Sequence, residues 1–266
     1  MTKKKILVLA LTLAMVAILA VGGSLAYFTS EDKAENTFTA GGVKIELIEQ
    51  QVNEAGTALE NFKQGQTLFP IVGSAQGEKD KFGQPIAENY VDKIVTIKNT
   101  GKSAAWVRAY FAIPSALDDG EETFNAGANI LHFNFGNKGN ASTYNVQWLW
   151  NSDSKTGWNY YETTVGGVKY NVYYADYYQT LAADATTEQF ICGVYLDKNV
   201  DMKDGKYTDK RYPDADLSIL EGTVKCPVAT VAVQAAGFSS AKDAINEAFG
   251  NRYDPFGGTD VVNWQN

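Results

Sequence analysis

Residues 92–113, DKIVTIKNTGKSAAWVRAYFAI, decide how this chain is read. Val95 and Ile97 alternate with polar neighbours, which is the period of a half-buried strand. Asn99-Thr100-Gly101-Lys102 is a turn signal. Ala105, Val107, Ala109, Phe111 and Ile113 then recur at every second position. The pattern predicts a β-hairpin whose two strands share one core face.

The same period recurs on both sides of this stretch. Phe38 and Ala40 alternate, and so do Val43, Ile45 and Leu47, with a phase shift of one residue at Gly41-Gly42. A β-bulge at the glycines accounts for the shift, and makes residues 36–48 one long strand. Residues 50–66 and 73–89 read as loops. Residues 130–135, 145–150, 160–164, 168–174 and 189–196 read as strands, with Phe190, Cys192, Val194 and Leu196 on one face of the last. A polar loop is expected over 118–127 and a charged one over 197–216. Residues 223–235 form a final strand, whose first part Pro227 confines to an edge or a bulge. Residues 240–249 read as a helix. Ser240 and Asp243 resemble a capping box, Ala241, Ala244, Ile245, Ala248 and Phe249 keep helical spacing, and Gly250 ends it. The tail, 251–266, offers no element. Abundant glycine, only 6 prolines and 12% aromatic content favour strands and turns over helices. The expected architecture is all-β: an antiparallel, jelly-roll-like β-sandwich over 37–250, with one short C-terminal helix and a signal helix before it.

The first residues carry an export signal. Lys3, Lys4 and Lys5 precede an apolar run from Ile6 to Val21 that is short for a membrane span. Ser24 and Ala26 then place small residues before the Ala26–Tyr27 bond, so residues 1–26 read as a signal peptide cleaved there. An uncleaved membrane anchor is the alternative. No cysteine follows the run to accept a lipid, and no sortase motif is present. Cleavage removes three lysines and no acid, taking the net charge from −8 to −11. Such a chain is a poor ligand for nucleic acid, and contacts a membrane only through the signal segment before cleavage.

Chemistry-bearing residues are sparse. His132 is the single histidine and sits in an apolar strand, where a packed strand residue is the reading preferred over a catalytic or metal-binding one. No HExxH, GxSxG, P-loop or dinucleotide-binding glycine run occurs, and no cofactor is expected. Asp197, Asn199 and Asp201 alternate as calcium ligands do, but Met202 and Thr208 stand where an EF-hand loop needs Gly and Glu. A solvated acidic loop is the competing account. Trp148, Trp150 and Trp158, amid many tyrosines, form either a surface for glycans or subunits or a set of cross-strand pairs. Cys192 and Cys226 form either a disulfide or two reduced core thiols.

Gly22-Gly-Ser-Leu-Ala-Tyr-Phe-Thr29, followed by Asn36-Thr-Phe-Thr-Ala-Gly41, closely resembles the signal-and-start region of the TasA/camelysin family. Val95–Gly101 with Trp106-Val-Arg108 resembles that family's first hairpin, and Val231–Phe238 its C-terminal strand and helix. Residues 114–222 carry no such likeness. The resemblance implies export by a Gram-positive bacterium, cleavage by a SipW-type signal peptidase and a jelly-roll domain. It also implies assembly into biofilm-matrix fibres with other copies or related subunits. Assembly would proceed by donor-strand exchange, with a mobile segment 27–36 freed by cleavage. Tyr27 and Phe28 lead that segment, and Phe38, Val43, Ile45 and Leu47 continue its alternation. A cell-surface adhesin or glycan-binding module is the alternative function. The family's metallo-endopeptidase label finds no ligand motif here, and no enzyme activity is expected.

Overall fold

The computed structural model describes residues 38–39, 42–118, 129–135, 147–150, 159–204 and 206–264. The expected signal peptide and the segment 27–36 lie outside them.

The described chain is mostly β-strand, and its sheets are antiparallel. The strands are β1 (Phe38–Thr39), β2 (Val43–Val52), β3 (Leu59–Asn61), β4 (Val91–Asp92), β5 (Ile94–Asn99), β6 (Ala105–Pro114), β7 (Leu131–Phe135), β8 (Trp148–Leu149), β9 (Tyr160–Val165), β10 (Val168–Tyr177), β11 (Ile191–Leu196), β12 (Val200–Lys203), β13 (Lys206–Asp209), β14 (Val228–Gln234) and β15 (Thr259–Val262). One short helix, α1 (Ala241–Phe249), lies between β14 and β15. Ser240 caps α1 by accepting from the Asp243 amide at 3.1 Å.

Two layers face each other. In the first the strand order is β14-β6-β10-β9-β15, with β8 also on β10. The second is centred on β2, which pairs with β1, β3 and β5. Backbone bonds from Phe190 to Val95 (2.7 Å) and from Lys93 to Cys192 (2.9 Å) tie β5 to β11. β11 in turn pairs with β4 and β7. Val43, Ile45, Leu47, Val95 and Ile97 from the second layer meet Val107, Ala109, Phe111, Tyr173 and Val228 from the first.

The expected hairpin over 92–113 does not form. β5 pairs with β2, and β6 pairs with β10 and β14, so the two strands lie in opposite layers. Asn99–Lys102 is the corner where the chain crosses. Asn99 has no exposed surface. Its Nδ2 donates to the carbonyls of Ser103 (2.8 Å) and Leu181 (2.9 Å), and its Oδ1 accepts from the Gly101 amide (3.0 Å). The amides of Thr100 and Gly101 donate to the Lys44 carbonyl at 2.8 and 3.0 Å. A Cβ on Gly101 would lie 2.5 Å from the Gly42 carbonyl oxygen, so glycine is required by close approach to β2. These bonds spend the turn on β2 and on the Leu181 segment, and leave β6 free to join the other layer.

The connection from β1 to β2 is likewise a reversal and not a bulge. Phe38 pairs with Lys44 and Thr39 with Val43, so β1 folds back antiparallel on β2. Gly42 has φ +83°, which suits a tight turn. Part of the expected loop over 50–66 is strand, because β3 pairs with the end of β2. The charged loop over 197–216 contains the hairpin β12–β13.

The first layer is buried on both faces. Tyr110, Tyr161, Tyr170, Val172, Tyr174, Ala229 and Val231 form a second core on its outer side, under Ile245 and Phe256. The tail is therefore structured over 251–264. Asp254 accepts from Tyr161 Oη and Thr163 Oγ1, both at 2.8 Å, and from the amides of Phe256 and Gly258. β15 then pairs with β9, and Trp264 stacks on Tyr161 with ring centres 4.2 Å apart. Burying one such aromatic side chain contributes roughly 1.5–3 kcal/mol, so this cover makes the outer tyrosines a core.

Candidate functional site

The residues expected to take part in assembly fall into three groups. Ala26, Tyr27 and Phe28 lie outside the described residues. Phe38 lies in β1, whose backbone pairs with β2. Val43, Ile45 and Leu47 lie in β2 with at most 6% exposure and belong to the molecule's own core. Exchanging them would empty that core, so they cannot be part of a donor.

The edge of interest is β14. It is the terminal strand of the first layer, and among the described residues β6 is its only strand partner. Pro227 stands just before it, where a missing amide costs least, and its carbonyl accepts from Ala112. β1, the first described strand, lies alongside β14 where the two layers meet. The chain therefore reaches β1 at the terminal edge of the first layer.

His132 is held in a polar network on β7 and the β11–β12 turn. Its Nε2 lies 3.1 Å from Asp197 Oδ2, and its ring stacks on Tyr195 at 4.9 Å. Burial holds its imidazole below the usual range, against the opposing pull of Asp197. Asp197 also meets Arg211 Nη1 at 3.3 Å and accepts from the Asn199 amide and side chain. Its oxygens are thus committed to protein donors. Asp201 points elsewhere, accepting from the Met202 amide and lying 3.8 Å from Lys210 Nζ. The structure does not bring Asp197, Asn199 and Asp201 together as calcium ligands. Among the described residues no three histidine, cysteine or acidic side chains could hold a metal.

Cys192 and Cys226 are free thiols, not a disulfide. A register shift between Ile191 and Gly193 turns Cys192 off the core face that it was expected to share with Phe190, Val194 and Leu196. Its thiol donates to Gln189 Oε1 at 3.2 Å. Cys226 is buried in the main core. Burial pushes both thiols up to about 12, which disfavours the thiolate form of each.

Of the three tryptophans read as either a surface or cross-strand pairs, the two that are described are interior. Trp148 has no exposed surface, and its Nε1 donates to the Glu188 carbonyl at 3.1 Å. Trp150 is 3% exposed and stacks on Phe190 at 4.6 Å. Trp158 lies outside the described residues. Cross-strand and core packing accounts for the first two.

Two buried ion pairs escaped the sequence reading. Arg108 donates to Asp176 through Nε (2.6 Å) and Nη2 (3.0 Å) on the outer face of the first layer, and its guanidinium lies over Tyr174. Lys93 pairs with Glu49 and lies over the Phe62 ring, 4.4 Å from its centre. The only signal in the sequence was a charge at an alternating, otherwise apolar position. For Arg108 that position faces the second core, which the sequence reading did not foresee. The chain matches no family model, no curated protein and no solved structure.

Proposed function

We propose that the chain is an exported structural subunit of an extracellular fibre, a jelly-roll sandwich of the TasA/camelysin kind. In this reading a SipW-type peptidase cuts after Ala26, and residues 27–36 then add as a strand to the β14 edge of a neighbouring copy. The placement of β1 beside the terminal strand β14 carries the reading, because it brings the N-terminal chain to the end of the first layer. At about 3.3 Å per residue, the ten residues of 27–36 extend far enough to run the length of the seven-residue β14. Main-chain hydrogen bonds supply affinity, and Tyr27 and Phe28 supply side chains for pockets. A head-to-tail contact of this kind does not close, so it propagates as a filament.

No peptidase activity is part of this reading, since the one histidine is engaged with Asp197 and Tyr195. Deleting residues 27–36 from the cleaved chain tests the proposal. Filaments should vanish in electron micrographs while the domain keeps its circular dichroism spectrum and melting temperature. Filaments of unchanged length and number would rule it out.

A further inference from the structure

A cleft of about 230 Å³ opens on the outer face of the first layer, where α1 begins. Trp106, Asp176, Tyr178, Ser239, Ser240 and Lys242 are among the residues that line it. The β6–β10 register ends with Asp176 opposite Arg108, and Tyr178 and Trp106 both lie just beyond that pair. Two aromatic rings thus border one space. Tyr178 is 45% exposed, one of three large rings so exposed among the described residues. Trp106 is 9% exposed, and its Nε1–H has no acceptor among the described residues. A buried indole donor without a partner is unfavourable, and an oxygen brought by a ligand would satisfy it.

The charges around the cleft select among ligands. The Asp176 carboxylate is held by Arg108. Asp243 already stands at the positive start of α1, where it accepts from Ser240 Oγ at 2.8 Å and Ser239 Oγ at 3.3 Å. Among the lining residues Asp176 and Lys242 are the charged ones, one of each sign, so the cleft favours no net charge on a ligand. A neutral ligand with an apolar face and several hydroxyls meets rings, serine hydroxyls and an indole donor. The volume is below the roughly 300–1,000 Å³ of sites for drug-sized ligands, which leaves room for one ring.

We propose that this cleft binds a single neutral pyranose residue of an extracellular polysaccharide. The sugar's C–H face lies against Tyr178, a ring hydroxyl accepts from Trp106 Nε1, and the serines at the start of α1 contact the remaining hydroxyls. The site is independent of fibre assembly and replaces the buried Trp148 and Trp150 as the aromatic contact.

Nitrogen-15 spectra of the full chain, read at the tryptophan indole signals, test it. The probes are glucose, galactose and N-acetylglucosamine, with sodium phosphate and sodium acetate as anions. At least one sugar should move one indole signal saturably, with a Kd of about 1–10 mM. Trp106→Phe should remove that signal and so assign it. Tyr178→Ala should leave the other indole signals in place and weaken binding at least about fivefold. The proposal is overturned if no sugar moves the Trp106 signal up to about 100 mM. It is also overturned if the anions move that signal and the sugars do not, or if Tyr178→Ala binds as tightly as the parent.

Discussion

Replacing Asn99 with alanine tests the corner that sends β5 and β6 into different layers. The substitution removes three hydrogen bonds at once. The bond to the Leu181 carbonyl is fully buried, and leaving that oxygen unmet costs about 1–3 kcal/mol. The bonds to the Ser103 carbonyl and from the Gly101 amide are only partly buried, so water replaces part of each, at roughly 0.5–1 kcal/mol apiece. The sum is about 2–5 kcal/mol, large against the ~5–15 kcal/mol that holds most domains folded. Urea unfolding followed by tryptophan fluorescence measures it. With an m-value of about 2–3 kcal/mol per molar, the midpoint should fall by roughly 1–2 M with m unchanged. Asn99→Asp should cost at least as much, because a carboxylate would then face two carbonyl oxygens. Thr100→Ala is the control: its hydroxyl reaches the Lys44 carbonyl only at 3.4 Å, and the loss should stay under about 0.5 kcal/mol. If Asn99→Ala also stays within about 0.5 kcal/mol of the parent, the crossing is not fixed by this side chain.

Three further outcomes follow from buried polar groups. Asp176→Asn leaves the Arg108 guanidinium buried without its counter-charge and should cost about 3–5 kcal/mol in the same assay. Arg108→Leu combined with Asp176→Leu should recover much of that loss; a double variant as unstable as the single one would contradict it. Burial raises the Asp92 carboxyl from 3.8 to about 6, so the folded state holds a proton that the unfolded chain releases. Stability from this group is therefore full below pH ~4 and declines as pH rises towards 6. Asp92→Asn, which can still accept from the Val52 amide, should stabilise by about 1 kcal/mol at pH 7.5 after allowance for solvent screening, and be neutral at pH 4. Stabilisation at pH 4 alone would reverse that assignment. Cys192 and Cys226 should both resist a thiol reagent in the native protein and both react after unfolding without a reductant; a disulfide-bonded intact mass would refute the arrangement.

Much of the strand pattern was legible because the inner face follows a period of two. Val43, Ile45, Leu47, Val95, Ile97, Val107, Ala109 and Phe111 were read as inward-facing, and they are. Strand partners were less legible. Asn99-Thr-Gly-Lys102 has the composition of a hairpin turn, yet Asn99 bonds to Leu181, 82 residues along the chain. Periodicity reports which face is buried and not which strand lies beside it. The second core was hidden for a related reason. The outward positions Tyr110, Tyr161 and Tyr174 look like surplus aromatics until Asp254 and Trp264 draw the C-terminal segment across them. That anchoring depends on an aspartate four residues before Gly258, which has no periodic signature. Cys192 was misplaced by a one-residue shift that alternation assumes away. For the candidate site, the sequence pointed to the N-terminal segment. Its inward residues after Gly42 proved to be core, and the relation of β1 to β14 needed the fold.

The central claim is that freeing the N-terminal segment permits assembly at the β14 edge. Negative-stain microscopy of a chain beginning at Tyr27, beside the same chain carrying extra residues before Tyr27, tests it most directly. The account predicts filaments from the first and dispersed particles from the second. Filaments from both, or from neither at concentrations where the domain is folded, would contradict it.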